Sequence, residues 1–170
     1  MKKILLIATV AALFSTQYAS AADGTINFNG NITDTACTID ASSANQTVTM
    51  GTVSKTSFQG AGSTAAPTRF TISLTACPDT TAKVRFDGPT APGNASILRL
   101  NTGETAEGVG VAIYEDDSST LIPVSTASAA KTLSNAGENV LAYVAKYMAT
   151  GDSVIAGSAN ATASFTITYP

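Results

Sequence analysis

Few side chains in this 170-residue sequence could carry out chemistry. The chain contains no His, so it can form neither a Ser-His-Asp or Cys-His catalytic group nor a His-ligated zinc site. Its carboxylate cluster, Glu115-Asp116-Asp117, is interpreted as a solvated hairpin turn, and Glu104 and Glu107 are interpreted in the same way. Glycoside hydrolysis needs two carboxylates that face each other across a cleft, and no spacing here places them so. We therefore expect no enzyme activity and no catalytic, cofactor-binding or metal-binding residues.

The N-terminus has the three-part pattern of a secretory signal peptide. Lys2 and Lys3 are positively charged, residues 4–14 form an apolar run, and Ala19-Ser20-Ala21 supplies an A-x-A cleavage site. The run is shorter than the about 20 residues that span a bilayer, which leaves a buried N-terminal helix as the alternative. We predict that residues 1–21 are removed, which changes the net charge from −3 to −5 because two lysines are lost. The mature protein is expected to be exported and not to span a membrane.

The two cysteines, Cys37 and Cys77, both lie in the part expected to be exported. In an oxidising compartment such a pair most often forms a disulfide. A free thiol pair and half of a metal site are the alternatives, and two sulfurs without His make a weak metal site. A bridge would close a loop of about 41 residues and, on the chain-entropy account, would stabilise the fold by roughly 4 kcal/mol.

The elements that position these cysteines alternate between apolar and polar residues, which is typical of strands with one buried face. Alternating runs occupy residues 25–32, 69–75, 83–87, 97–100, 109–114, 140–148 and 163–169. Turn residues separate them at intervals of about ten residues, the rhythm of a β-sandwich or barrel. We predict an all-β protein of two sheets and about seven to nine strands, with at most one short helical turn in the Ala-rich stretch 126–131.

The alternation at the N-terminus is unusually long, reaching about 16 residues from Gly24 to Ile39 and beginning close to the predicted cleavage site. Terminal strands fray unless they are tied down, and an exposed apolar row is an aggregation hazard. One interpretation is that this run is the first strand of the sheet. The other is that residues 22–30 leave their own domain and complete the sheet of a neighbouring molecule.

Several segments together resemble one known family. They are Gly24-Thr25-Ile26-Asn27-Phe28-Asn29-Gly30, Ala36-Cys37-Thr38-Ile39-Asp40, Gln46-Thr47-Val48-Thr49-Met50-Gly51, Leu74-Thr75-Ala76-Cys77, Gly108-Val109-Gly110-Val111-Ala112-Ile113-Tyr114, residues 143–151 and the terminal 159–170. In these segments the chain is similar to pilin subunits of the chaperone–usher class, in the family of type 1 fimbrial major subunits. Tyr169 and Gly157 match the family's penultimate Tyr and its Gly fourteen positions from the end.

The resemblance implies an incomplete immunoglobulin-like sandwich, the pilin fold, which a donor strand from a neighbouring subunit completes. Residues 1–21 would be the signal peptide, 22–33 the N-terminal donor-strand extension and 34–170 the pilin domain. The donor residues implied by similarity are Gly24, Ile26, Phe28, Gly30 and Ile32. The implied acceptor groove, which a periplasmic chaperone also binds, involves Gly157, Phe165, Ile167 and Tyr169.

The resemblance implies a structural shaft subunit that polymerises by donor-strand exchange into a bacterial surface fibre used in adhesion. Its partners would be identical or related pilins, a periplasmic chaperone and an outer-membrane usher, on a route through the periplasm to the fimbrium. No nucleic acid is expected as a partner, because the acidic balance provides no basic face. A minor or adaptor pilin and a monomeric secreted immunoglobulin-like binding module are the alternatives.

Overall fold

A computed structural model describes residues 24–30 and 36–170 of the chain. Residues 24–30 belong to a separate unit and are considered on their own; they form neither helix nor strand. The regular elements of 36–170 are β1 (Thr38–Ile39), α1 (Ala41–Ala44), a 3-10 turn (Lys55–Ser57), β2 (Thr64–Thr75), β3 (Thr80–Asp87), β4 (Thr90–Ala91), β5 (Asn94–Leu98), β6 (Val109–Glu115), β7 (Leu121–Ile122), β8 (Lys131–Leu133), β9 (Asn139–Ala149) and β10 (Ser164–Thr168).

These strands form two antiparallel sheets, as the alternation predicts. The larger sheet has the order β1-β2-β9-β6-β5-β4, with β7 also paired to β6, and the smaller has the order β10-β3-β8. Long strands at the centre, β2 and β9, pair over most of their length. An all-β sandwich is therefore the observed fold.

The core lies between the two sheets. Ile72 and Leu74 of β2, Val84 of β3 and Tyr143 of β9 are among its fully buried residues. Aromatic rings contribute specific packing there, since the Phe86 and Tyr143 rings meet edge to face at 5.2 Å between centroids. Each of these residues occupies the apolar phase of its own strand, which explains why a period of two in the sequence predicted the inner faces.

Three details differ from the sequence-based expectations. Ten strands are present among the described residues, more than the seven to nine expected. Strands as short as β1, β4 and β7 have too few residues to produce a recognisable alternation of their own. The Ala-rich stretch 126–131 holds no helical turn; Ala127 instead bridges to Arg85, and Lys131 begins β8. A helix does occur at α1, where the Asp40 side chain accepts a hydrogen bond from the Ser42 backbone N–H at 2.8 Å and caps its N-terminus.

The long N-terminal run is also not one continuous strand. Residues 24–30 have no strand structure, residues 31–35 lie outside the described part, and only Thr38 and Ile39 pair, with Thr75 and Leu74 of β2. Alternation over 24–39 therefore does not correspond to a single strand. The signal peptide predicted at residues 1–21 lies outside the described residues.

Candidate functional site: the groove beside the C-terminal strand

The C-terminal strand β10 is an edge strand of the smaller sheet. It pairs along one side with β3, from Ser164 opposite Asp87 to Thr168 opposite Lys83. Within the described residues no strand pairs with its other side. In an antiparallel strand alternate residues direct their backbone N–H and C=O groups to opposite sides, so part of the β10 backbone has no partner among the described strands.

An apolar stripe runs along β10 and the segment before it. Every second residue from 159 to 169 is half-buried against the core, and every residue between them is exposed. The stripe consists of Ala159, Ala161, Ala163, Phe165, Ile167 and Tyr169. These side chains reach the core but remain partly uncovered, as expected where an apolar layer is incomplete. The predicted residues Phe165, Ile167 and Tyr169 therefore share one face.

At the end that precedes β10, the stripe continues into a groove of about 400 Å³. Segment 154–160 forms one wall, segment 51–53 with Phe58 forms another, and Val109 and Tyr147 lie at the base. The Tyr147 hydroxyl donates a hydrogen bond to the Ala159 carbonyl at 3.1 Å. Burial and the negative charge of Glu104 raise the pKa of Tyr147, so this phenol remains a neutral donor at physiological pH.

Segment 154–160 is held by the neighbouring loop rather than by a strand. The Ala106 N–H donates to the Ser158 carbonyl at 3.0 Å, and the Asn101 N–H donates to the Asn160 carbonyl at 2.8 Å. The Asn160 side chain donates to Glu104 Oε1 at 3.0 Å, and this bond, together with Ser158, lowers the pKa of Glu104. Glu104 was expected in a solvated turn; instead its carboxylate fixes the wall of the groove.

Gly157 lies in this wall and has a packing reason to be glycine. A Cβ placed there would lie 2.4 Å from Thr105 Oγ1 and 2.5 Å from the Ala106 backbone nitrogen. A Cβ essentially never lies that close to a non-bonded atom, so the segment could not approach the 105–106 backbone as it does if residue 157 had a side chain. The groove's shape near its start therefore depends on this close approach.

At the other end of the stripe, Tyr169 meets the disulfide. The Cys37 N–H donates a hydrogen bond to the Tyr169 hydroxyl oxygen at 3.3 Å. Cys37 and Cys77 are bonded to each other, with a Cα–Cα distance of 4.3 Å, which confirms the predicted disulfide. The bridge lies beside the β1–β2 pairing and links the start of the domain to the end of β2, close to the C-terminal strand.

The residues predicted to donate a strand are exposed where the structure describes them. Gly24, Ile26, Phe28 and Gly30 lie in segment 24–30. Ile26 is 79% exposed and Phe28 is 92% exposed. Ile32 lies outside the described residues. A large aromatic side chain left in water this completely is unusual, because burying it is favourable by about 1.5–3 kcal/mol.

Glu115 does not lie in a solvated turn, as the sequence interpretation had it. Its side chain is only 8% exposed, not solvated, and Oε2 forms an ion pair with Lys131 Nζ at 2.9 Å. Oε1 accepts a hydrogen bond from the Ala129 N–H at 2.6 Å. The same strand holds Val109, Val111 and Ile113 in the core, and continuing their alternation would have predicted an inward Glu115. Asp116, in contrast, is exposed as expected, and it pairs with Arg69.

The charge of Glu115 also acts on the core residue Tyr143. Burial raises the pKa of Tyr143 to about 12, with the charge of Glu115 adding to the effect. Within 24–30 and 36–170, no cluster of three or more His, Cys, Asp or Glu residues could hold a metal ion. Among the same residues, no helix is long and apolar enough to cross a membrane.

Sequence comparison with known proteins points to one family. The sequence model of the family described as "Fimbrial protein" matches residues 26–170. Long polar fimbria protein A of Salmonella typhimurium (strain LT2) is 36% identical over 175 residues, covering 99% of this chain and 97% of its own length.

Solved structures agree as well. A Burkholderia pseudomallei antigen and type I fimbria protein is similar with 41% identity and a TM-score of 0.63, over 86% of this chain and 97% of that one. A chain from the structure of a chaperone–usher pilus is similar with 30% identity and a TM-score of 0.66, over 88% of this chain and 96% of that one.

The fold and its open edge define a pilin-type domain, an immunoglobulin-like sandwich that is incomplete beside its last strand. Given the family match over most of its length, the chain belongs to the fimbrial protein family. It is accordingly a structural subunit of a surface fimbrium that assembles with related pilins, and its family is not one of enzymes.

Proposed function

We propose that this protein is a shaft subunit that polymerises by donor-strand exchange, its residues 22–33 filling the groove beside β10 of the next copy. The observation that carries the proposal is the half-buried stripe of Phe165, Ile167 and Tyr169 on an edge strand. The similar proteins named for a type I fimbria and a long polar fimbria support a fibre-forming role.

The chemistry of the two segments is complementary. The groove side offers unpaired strand backbone and a row of apolar side chains at every second position. The donor segment offers an extended alternation with Ile26 and Phe28 on one face. Backbone hydrogen bonds would supply sequence-independent affinity, and alternate side chains in pockets would supply specificity, as in β-strand addition, for which donor-strand complementation is a known example.

Magnitudes favour the large donor residues as the anchors. Phe28 and Ile26 each gain about 1.5–3 kcal/mol when buried, and each additional backbone hydrogen bond contributes about 0.5–1.5 kcal/mol. Gly24 and Gly30 occupy the same phase with no side chain, which suits the shallow places of a groove. The contact between two subunits would be strong because the donor segment pairs with the stripe over its whole length, rather than through any one residue.

The same edge gives a route for export and assembly. A periplasmic chaperone that pairs with β10 would cover Phe165, Ile167 and Tyr169 until a donor segment replaces it. An outer-membrane usher would then bring successive subunits together at the cell surface. A shaft role is favoured over an adaptor role by the similar chain from the chaperone–usher pilus, whose structure concerns the pilus rod.

The test is Phe28→Asp, expressed in cells that lack the native subunit. Burying an unpaired charge in an apolar groove costs several kcal/mol, so we expect folded, chaperone-bound subunit in the periplasm but no fibres by electron microscopy. Asn27→Asp is the matched control, since the neighbouring position faces the opposite side of the strand, and it should form fibres. Normal fibres from Phe28→Asp would contradict the proposal.

A further inference from the structure

The exposed segment 24–30 carries the sequence's sole Asn-Gly pair, Asn29-Gly30. The side-chain amide of an Asn followed by Gly is open to attack by the glycine backbone nitrogen. Glycine lacks the Cβ that would shield this nitrogen, and it adopts unusual backbone angles freely. Both residues are exposed, and apart from Gly30 itself and its two chain neighbours no described atom lies within 4 Å of the position that a Cβ would take at Gly30. No described residue beyond these neighbours therefore crowds the Gly30 backbone.

The asparagines of the folded domain differ from Asn29 in their hydrogen bonds and in the residues that follow them. Five of them have side chains held by hydrogen bonds, and each is followed by a residue larger than glycine. They are Asn94, Asn101, Asn135, Asn139 and Asn160, which bond to Ser96, Thr162, Asp79, Ser134 and Glu104 respectively. Vulnerability is thus concentrated in the segment proposed as the donor strand.

We propose that Asn29 is a spontaneous deamidation site of the unassembled subunit. The Gly30 backbone nitrogen attacks Asn29 Cγ, a C–N bond forms, and the Cγ–Nδ2 bond breaks. The amide leaves as ammonia, which carries the proton lost by the Gly30 nitrogen. One water then opens the succinimide ring, giving Asp when it adds at Cγ and isoaspartate when it adds at the main-chain carbonyl.

The consequence rests on the proposed function. Isoaspartate routes the main chain through the former side chain and adds an atom to it between Phe28 and Ile32. Because side chains in a strand alternate with a strict period of two, the residues before and after this insertion no longer face one side together. Assembly has the opposite effect, since a Gly30 backbone held extended in a groove cannot reach Asn29 Cγ. The Asn29-Gly30 pair would therefore inactivate subunits that remain unassembled for a long time, whereas subunits already in a fibre would be protected.

The experiment follows Asn29 in the mature chain, incubated at mildly alkaline pH as monomer and as assembled polymer. Reduced digests are analysed by mass spectrometry for the amide-to-acid change, and isoaspartate is detected with an isoaspartate methyltransferase. We expect conversion in the monomer to be about tenfold faster at Asn29 than at Asn27, because Phe28 carries the Cβ that Gly30 lacks. Conversion in the polymer should be strongly suppressed.

Polymerisation of fresh and aged monomer gives the second readout. Aged wild-type chain should polymerise less in proportion to its isoaspartate content, whereas Asn29→Gln, whose ring closure is disfavoured, should age without loss. Equal conversion of Asn29 and Asn27, or undiminished assembly of converted chain, would overturn the inference. If fresh chain does not polymerise at all, the proposed function fails, while the comparison of Asn29 with Asn27 still decides the modification.

Discussion

At the scale of single residues, the pair of Glu115 and Lys131 is the least exposed of the ion pairs among the described residues. Glu115 is almost fully enclosed and bonds to both Lys131 and the Ala129 backbone. The pair of Arg69 and Asp116 beside it is exposed, with side chains 60% and 48% accessible. Solvent screens an exposed pair, whereas removing one partner of a buried pair leaves an uncompensated charge.

Replacement of these two neighbouring acids should therefore have unequal effects. We expect Glu115→Ala to lower the free energy of unfolding by about 2–3 kcal/mol, less than the full cost of a wholly buried pair because Lys131 is partly exposed. Asp116→Ala should change it by less than about 1 kcal/mol. Equilibrium urea unfolding of the two purified variants measures both values, and equal losses would show that Glu115 is not held as described.

Asp117 gives the protein a source of acid sensitivity. Its carboxylate accepts hydrogen bonds from the Thr120 hydroxyl and from the Thr120 and Ser119 backbone N–H groups, which lower its pKa well below the ordinary value of 3.8. A carboxyl whose pKa is lowered by folding stabilises the fold fully above its unfolded pKa. That contribution is lost as pH falls from about 4 towards the folded pKa.

The variant Asp117→Asn should be less stable than wild type at pH 6, and the difference in Tm should shrink as pH falls below 4. Thermal unfolding of both proteins between pH 6 and pH 2 measures this. A constant difference across the range would mean that the Asp117 carboxylate is not stabilised by Ser119 and Thr120.

At the scale of elements, the groove wall depends on the packing of segment 154–160. Gly157→Ala should force that segment away from Thr105 and Ala106, with a loss of about 1–3 kcal/mol, the usual cost of overpacking. Gly137→Ala is the matched control, because a Cβ at Gly137 meets no atom within 4 Å. Urea unfolding compares the two variants; equal stability would show that segment 154–160 yields without cost.

The sequence predicted those elements whose residues alternate over a long enough stretch. Alternation located β2, β3, β6, β9 and β10 and their inner faces, because one face of each strand is buried. The short strands β4, β7 and β8 were missed because two or three residues are too few to show alternation, and α1 was missed because it depends on the cap at Asp40. The inward Glu115 was missed because residue type was given more weight than its phase in β6.

The groove itself could be predicted only through the family resemblance. Alternation identifies residues 163–169 as a strand with one apolar face, but it does not say that no described strand pairs with its other edge. That property belongs to the topology, in which β10 ends the smaller sheet. The restriction at Gly157 likewise depends on contacts with residues distant in sequence, which local patterns do not contain.

At the scale of the whole molecule, we propose that the domain lacks one strand and that residues 22–33 of another copy supply it. The half-buried stripe from Ala159 to Tyr169 would be the acceptor surface, and the exposed Ile26 and Phe28 would be the donor side chains. A segment that binds only the folded domain must raise its stability by mass action.

The most direct measurement is the thermal unfolding of a chain truncated to begin at Asn31, with and without a synthetic peptide of residues 22–34. A scrambled peptide of the same composition is the control. Donor-strand exchange predicts a low Tm for the truncated chain that rises with the concentration of the native peptide and not with that of the scrambled one. A high Tm that neither peptide changes would mean that the sandwich is complete in itself and would contradict donor-strand exchange.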